Sequence, residues 1–143
     1  MDVDERIDVL MPTYNSVRYL DPALRSVERA IPNCRFIVVD HYSNDGTLDV
    51  LKKHEAQVYF DDKSLGHARQ LLFEKSTSGI LMMHDSDVVM NEDGWYPRAL
   101  ELLGTRSEDG RIVGAVVLLP SVVPPIELEK FKRFWWRLRP SLE

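Results

Sequence analysis

Short apolar runs rich in β-branched residues alternate along this chain with segments whose apolar positions recur every three or four residues. That alternation is the pattern of a mostly parallel sheet with crossover helices, so the class expected is α/β. Ile7 to Met11 reads as a first strand. Leu20, Leu24, Val27 and Ile31 then repeat at i, i+4, i+7 and i+11, one face of a helix that Pro32 and Asn33 end. Phe36 to Val39 is a second buried strand stopping at Asp40, and Asn44-Asp45-Gly46 supplies turn chemistry before a short helix from Thr47 to about Glu55. Val58 to Phe60 is a third strand, and Asp61-Asp62-Lys63-Ser64 is a polar loop carrying a helix cap. From Leu65, the residues Ala68, Leu71, Leu72 and Lys75 fit a helix with one apolar side. Ile80 to Met83 is a fourth strand, a helix runs through Trp95, Ala99, Leu102 and Leu103, and Ile112 to Leu119 is expected as a fifth strand closed by Pro120.

Composition narrows the class without naming a function. A chain of 143 residues is one ordinary domain, and 44% hydrophobic with 29% charged residues is the usage of a soluble globular protein. Lys and Arg number 18 against 23 Asp and Glu, a formal charge of −5, which argues against a long basic footprint for nucleic acid. The single cysteine, Cys34, cannot form an internal disulfide, and no Cys/His spacing makes a zinc site, so a reducing cytosol is favoured. Asp2, Asp4, Glu5 and Arg6 stand where a signal peptide would need an apolar run. The longest uncharged stretch, Ile112 to Ile126, contains Pro120, Pro124 and Pro125 and falls short of the roughly 20 residues of a membrane span.

In an open α/β sheet, ligands bind beyond the carboxyl ends of the strands. Strand one ends in Pro12-Thr13-Tyr14-Asn15, strand two in Asp40-His41-Tyr42-Ser43-Asn44-Asp45-Gly46 and strand four in His84-Asp85-Ser86-Asp87, three polar clusters expected on one edge. Taken singly, each also fits a bland role: Asn15 and Ser16 could cap a helix, Asn44-Asp45-Gly46 could turn, and Asp85 could start a loop. Asp85 and Asp87, alternate residues leaving a strand, could hold one hard cation, Mg2+ or Mn2+, together with waters and the oxygens of a diphosphate. His41, His67 and His84 lie near the same edge and are given no chemical role. No G-x-G-x-x-G, G-x-x-x-x-G-K-[ST] or G-x-S-x-G string occurs, which disfavours a dinucleotide domain, a P-loop and a hydrolase elbow.

Four of these strings, in order, resemble the inverting family 2 glycosyltransferases of GT-A fold, a Rossmann-like, nucleotide-diphospho-sugar transferase-like architecture. They are Pro12-Thr13-Tyr14-Asn15, then Val39-Asp40-His41-Tyr42-Ser43-Asn44-Asp45-Gly46-Thr47, then Gly66-His67-Ala68-Arg69-Gln70, where the last position is more often Asn, and finally Asp85-Ser86-Asp87. The resemblance covers Ile7 to Leu119 and implies a metal-dependent transfer of sugar from a UDP or GDP donor to a saccharide or lipid acceptor. It places Thr13 and Tyr14 against the donor's base, with Asp40 accepting from a base N–H. It pairs Arg69 with the diphosphate, sets Asp85 at the ribose or a metal-bound water, and makes Asp87 the metal ligand. Pro12, Asn15, Ser43, Asp45, Gly66 and Ser86 belong to the same implied donor site.

The family's acceptor-activating carboxylate lies well beyond the metal motif, and after Leu119 only Glu127, Glu129 and Glu143 remain, none in a matching context. Residues 1–120 are therefore expected to form a truncated, donor-binding half domain, and 121–143 a basic aromatic segment. From Lys130 to Arg139 there are five basic and no acidic residues, with Leu128, Phe131, Trp135 and Leu138 on one helical face. Residues 128–139 thus fit peripheral contact with the inner face of a membrane, or packing on protein, with the chain cytoplasmic. A non-catalytic module binding a nucleotide or a membrane surface is the alternative from another class. A nucleotidyltransferase is weakened because no Gly-rich phosphate loop follows strand one.

Overall fold

The structure is a computed structural model, and it describes residues 6–90 and 94–118. The elements in order are β1 (Ile7–Thr13), α1 (Val17–Ala30), β2 (Cys34–Asp40), α2 (Thr47–Lys53), β3 (Gln57–Phe60), α3 (Leu65–Lys75), β4 (Leu81–Met83) and α4 (Trp95–Leu102). The strands form one sheet in the order β3-β2-β1-β4, every pair parallel. β1 lies at the centre, with Ile7 opposite Cys34 and Thr13 opposite Asp40 on β2, and Asp8 opposite Leu81 on β4. The α/β expectation holds, and the strand order supplies what the pattern alone could not.

The two-residue alternation of a strand sorts the core into two layers. Val9, Met11, Phe36 and Val38 face one side, where they bury Leu20, Leu24, Val27 and Ile31 of the first helix segment and Val50 and Leu51 of α2. Leu10, Ile37 and Val39 face the other side, where Leu72 of α3 is buried among them and Ala68, Leu71 and Tyr59 pack at the margin. The sheet is thus covered on both faces, which is why its central strands read as continuous apolar runs. Asp8 interrupts this core, and Arg35 from the neighbouring strand meets it with two hydrogen bonds of 2.8 and 2.7 Å. The hydroxyl of Ser76 and the backbone N–H groups of Thr77 and Ser78 also donate to Asp8, which ties the end of α3 to the start of β1.

The expected fifth strand does not form among the described residues. Among the described residues no strand follows β4, and Ile112 makes only an isolated antiparallel bridge with Arg106. That bridge closes a small loop in which Ser107 N–H donates to Arg111 at 2.8 Å and Val113 N–H to Thr105 at 2.8 Å. Ile112 is 65% exposed and Val117 80%, so the apolar run found no neighbour to bury it among these residues. The chain divides into two compact units, Met1–Leu100 and Glu101–Glu143. Leu119 and the tail expected to be helical lie outside the described residues.

Candidate functional site

From β1 the chain builds β2 and β3 on one side, then returns across β1 to lay down β4 on the other. The strand order reverses at β1, the position where an open parallel sheet leaves a crevice beyond its carboxyl ends. Pro12 to Asn15, Asp40 to Gly46 and His84 to Asp87 all emerge on that edge, as expected from the sequence.

These loops are stitched together. Asp40 is fully buried, and its carboxylate accepts from the Thr13 hydroxyl at 2.7 Å, the Ser43 N–H at 2.7 Å and the Ser43 hydroxyl at 2.7 Å. Three of its roughly four acceptor positions are spent inside the protein, so Asp40 frames the site by joining the ends of β1 and β2. Ser43 Oγ accepts in turn from the Asn15 N–H at 2.8 Å, and Asn15 Oδ1 accepts from the Asn44 N–H at 3.0 Å. Asp45 Oδ2 accepts from the Val17 N–H at 3.1 Å, while Oδ1 takes the Thr47 hydroxyl at 2.6 Å and the Thr47 N–H at 3.0 Å. One carboxylate therefore satisfies orphan donors at the starts of α1 and α2. The Thr47 hydroxyl foremost, with the two backbone N–H groups, holds the Asp45 carboxyl below its usual range despite desolvation.

The backbone here departs from ordinary geometry. Gly46 sits at φ +99°, a conformation glycine adopts freely, and a Cβ there would approach Val17 Cγ2 at 3.5 Å. Asn15 at φ 46° and Tyr42 at φ 55° adopt the left-handed region without that freedom. The Tyr42 ring stacks on Phe60 at 5.3 Å and 28°, and Tyr14, 61% exposed, meets His41 edge-on at 5.3 Å. Ser16, which could have capped α1 through its side chain, makes no such bond. Its hydroxyl lies 2.9 Å from that of Ser86, a direct link between the first polar cluster and the acidic one.

β4 ends at Met83, so Asp85 to Asp87 are not extended strand residues: Ser86 and Asp87 form a turn closed by the Val88 N–H donating to Asp85 at 3.2 Å. His84 holds this turn from below, its Nε2 lying 3.0 Å from the Val88 carbonyl, and burial lowers its pKa so that the neutral ring is favoured. Asp85 and Asp87 are exposed, and Arg69 on α3 reaches Asp85 at 3.8 Å. Among the described residues no three metal-ligating side chains cluster. Asp85 and Asp87 supply carboxylate oxygens, the kind of donor a magnesium-like ion takes.

Between the ends of β1, β2 and β3 and the start of α3 lies a cavity of about 260 Å³, whose walls include Pro12, Thr13, Tyr14, His41, Asp61 and Ser64. Ser64 caps α3, accepting from the His67 N–H at 3.2 Å, which matches the polar loop and cap read from the sequence. In the sequence Asp61 is marked only as part of that loop. It is buried, its N–H donates to the Asp40 carbonyl at 3.2 Å, and its own carbonyl lies 2.8 Å from His41 Nδ1. No local signal marks it, because its burial depends on β3 lying beside β2.

The family model for glycosyl transferase family 2 matches residues 8–135. TuaG of Bacillus subtilis, whose name assigns it to teichuronic acid biosynthesis as a glycosyltransferase, is 30% identical over 103 residues, 66% of this chain and 39% of that protein. The poly(ribitol-phosphate) beta-N-acetylglucosaminyltransferase TarS of Staphylococcus aureus is 26% identical over 98 residues, 62% of this chain and 17% of its own length. This chain therefore spans well under half of either relative. The TarS crystal structure superposes with a TM-score of 0.58 at 23% identity, covering 76% of this chain and 23% of that one. A mannosyltransferase of Pyrobaculum calidifontis gives 0.60 at 20% identity, covering 70% and 34%. With the parallel sheet, its switch point and the four motif segments meeting at one edge, these matches lead to one conclusion: the chain belongs to glycosyl transferase family 2 and has the GT-A fold.

Proposed function

We propose that this chain carries the donor site of a glycosyltransferase, binding a nucleoside-diphosphate sugar whose sugar passes to a saccharide or lipid acceptor. The observation that carries this reading is the joining of the polar strand ends at the switch point, through Thr13 to Asp40, Asn15 to Ser43, Ser16 to Ser86 and Arg69 to Asp85. Tyr14 offers an exposed ring face at the cavity for stacking on a base. Arg69, already beside Asp85, offers its forked donors to phosphate oxygens. Asp87, with Asp85 nearby, would hold a divalent metal, which when bound neutralises charge developing on the leaving diphosphate. The mannosyltransferase neighbour, described in complex with GDP-Man and Mn2+, supports a donor and metal of this class.

In the reaction proposed, the acceptor hydroxyl attacks the anomeric carbon as the bond to the diphosphate breaks, with inversion. The protein's own part in that step is to keep the base, ribose and diphosphate fixed, so that binding energy is spent on orientation. No acceptor-activating base is assigned among the described residues. Equilibrium binding of UDP and GDP in the presence of Mn2+ tests the reading. Tyr14→Ala and Arg69→Ala should each weaken binding by about tenfold, the worth of one stacked base or one charge-assisted contact. Unchanged affinity in both variants would remove this cavity and this arginine from the donor site.

A further inference from the structure

The acidic turn lies past the end of its strand. β4 is three residues long and ends at Met83, and one residue further the His84 N–H donates to the Leu10 carbonyl at 3.0 Å. His84 Nε2 and the Val88 N–H then close the turn on itself. Asp85 and Asp87 are exposed, whereas Ser86 between them is half-buried, with its hydroxyl 2.9 Å from that of Ser16. Ser16 is a fixed anchor. Its N–H donates to the Thr47 hydroxyl at 2.8 Å, its carbonyl accepts from the Tyr19 and Leu20 N–H groups at 3.1 Å, and its hydroxyl donates to the Tyr14 carbonyl at 3.2 Å. The turn that carries the two carboxylates is thus tied to the loop that carries the exposed Tyr14 ring.

We infer that Ser16 is a positioning residue for metal-dependent donor binding, which through Ser86 holds the turn of Asp85 and Asp87 in place beside the base-stacking loop. Two carboxylates on one short turn repel each other while no cation is bound, and an unsupported turn would relieve that repulsion by moving. A turn held beforehand does not have to be ordered when metal and diphosphate arrive, so more of the interaction energy appears as affinity. In this role the two hydroxyls act through the carboxylates and need no contact of their own with the donor. The assignment rests on the donor-site reading above and deepens it.

The test is the affinity of UDP and GDP, each measured with Mn2+ and with chelator, for the wild type, Ser16→Ala, Ser86→Ala and the double variant. The readout is the ratio of the affinity with Mn2+ to that with chelator. Each single substitution should lower this ratio about fivefold, the worth of one neutral hydrogen bond, and the double variant should lower it no further, because either change breaks the same link. Ser86→Ala, which leaves the Tyr14 carbonyl its partner, should also bind nucleotide in chelator as the wild type does. Serines that merely braced the fold would weaken binding equally with and without Mn2+, leaving the ratio unchanged, and that result overturns the assignment. So does a double variant in which the two losses multiply, since the serines would then act separately. A wild type whose affinity is indifferent to Mn2+, or that binds neither nucleotide, contradicts the donor-site reading itself, and this assignment falls with it.

Discussion

Asp8 lies within the sheet with no side-chain exposure, and its carboxyl is drawn down from 3.8 to about 2. Desolvation alone would raise it, but the Arg35 guanidinium, the Thr77 and Ser78 N–H groups and the Ser76 hydroxyl together outweigh that effect. A folded-state pKa below the unfolded one means stability present above about pH 4 and lost as pH falls through about 2, worth roughly 2 kcal/mol. Asp8→Asn should therefore cost about 2 kcal/mol in urea denaturation at pH 7, and the gap to wild type should narrow sharply at pH 2.5. A gap of equal size at both pH values would contradict the ionised pairing. Gly66 makes the opposite case. Its φ is outside the left-handed region and a Cβ would meet Ser64 Oγ at an ordinary 3.7 Å, so the fold does not demand glycine there. Gly66→Ala should raise stability by up to about 1 kcal/mol while weakening nucleotide binding, if the donor's phosphates approach the backbone at this point. Unaltered affinity would show that the glycine does not serve the donor. At this scale the places of Thr13 at a strand end and of Asp45 in a turn were legible from their neighbours in the chain. The sequence could not expose Asp61 or the engagement of Asp40, because both depend on partners brought in by strand pairing.

Among the elements, α3 hangs on one residue. Leu72 alone is buried, against Leu10, Ile37 and Val39, while the same helix presents Ser64 and Arg69 to the site. Leu72→Ala should cost about 2–5 kcal/mol and weaken nucleotide binding with it. Loss of stability at full affinity, measured well below the melting temperature, would mean that α3 does not position the site. α1 and α2 are tied by His54, held 2.8 Å from Glu28 and 3.0 Å from Asp21. Burial works to lower its pKa, but the two carboxylates prevail and raise it. This contribution is thus fully present below the unfolded value near 6.5 and lost as pH rises through the folded one. His54→Gln should cost about 1 kcal/mol at pH 5 and little at pH 9, a difference that thermal melts at the two pH values would reveal. The buried strands and α1 were legible because their periodicity reports which face is covered. β4 was legible although Leu81 and Met83 are more than a third exposed, since its run leads into the acidic turn. The supposed strand at Ile112 had the same apolar composition and no partner, and composition alone cannot tell the two apart.

For the whole molecule, the order β3-β2-β1-β4 does what no single motif can. It brings segments from the first fifth of the chain and from beyond its midpoint to one edge, where Ser16 meets Ser86 and Arg69 meets Asp85. The four motifs announced this gathering by resemblance, and the sheet supplies the physical means. No helix among the described residues is long and apolar enough to cross a membrane, and the basic aromatic segment at 128–139 lies outside them. The central claim is a donor site completed by a metal at Asp87. Isothermal titration of UDP and GDP into the wild type and into Asp87→Ala, with Mn2+ and then with chelator, tests it most directly. The account predicts binding of one of these nucleotides that weakens at least tenfold on chelation, and an Asp87→Ala protein whose affinity is low and indifferent to Mn2+. Equal, metal-independent affinity in both proteins would contradict it.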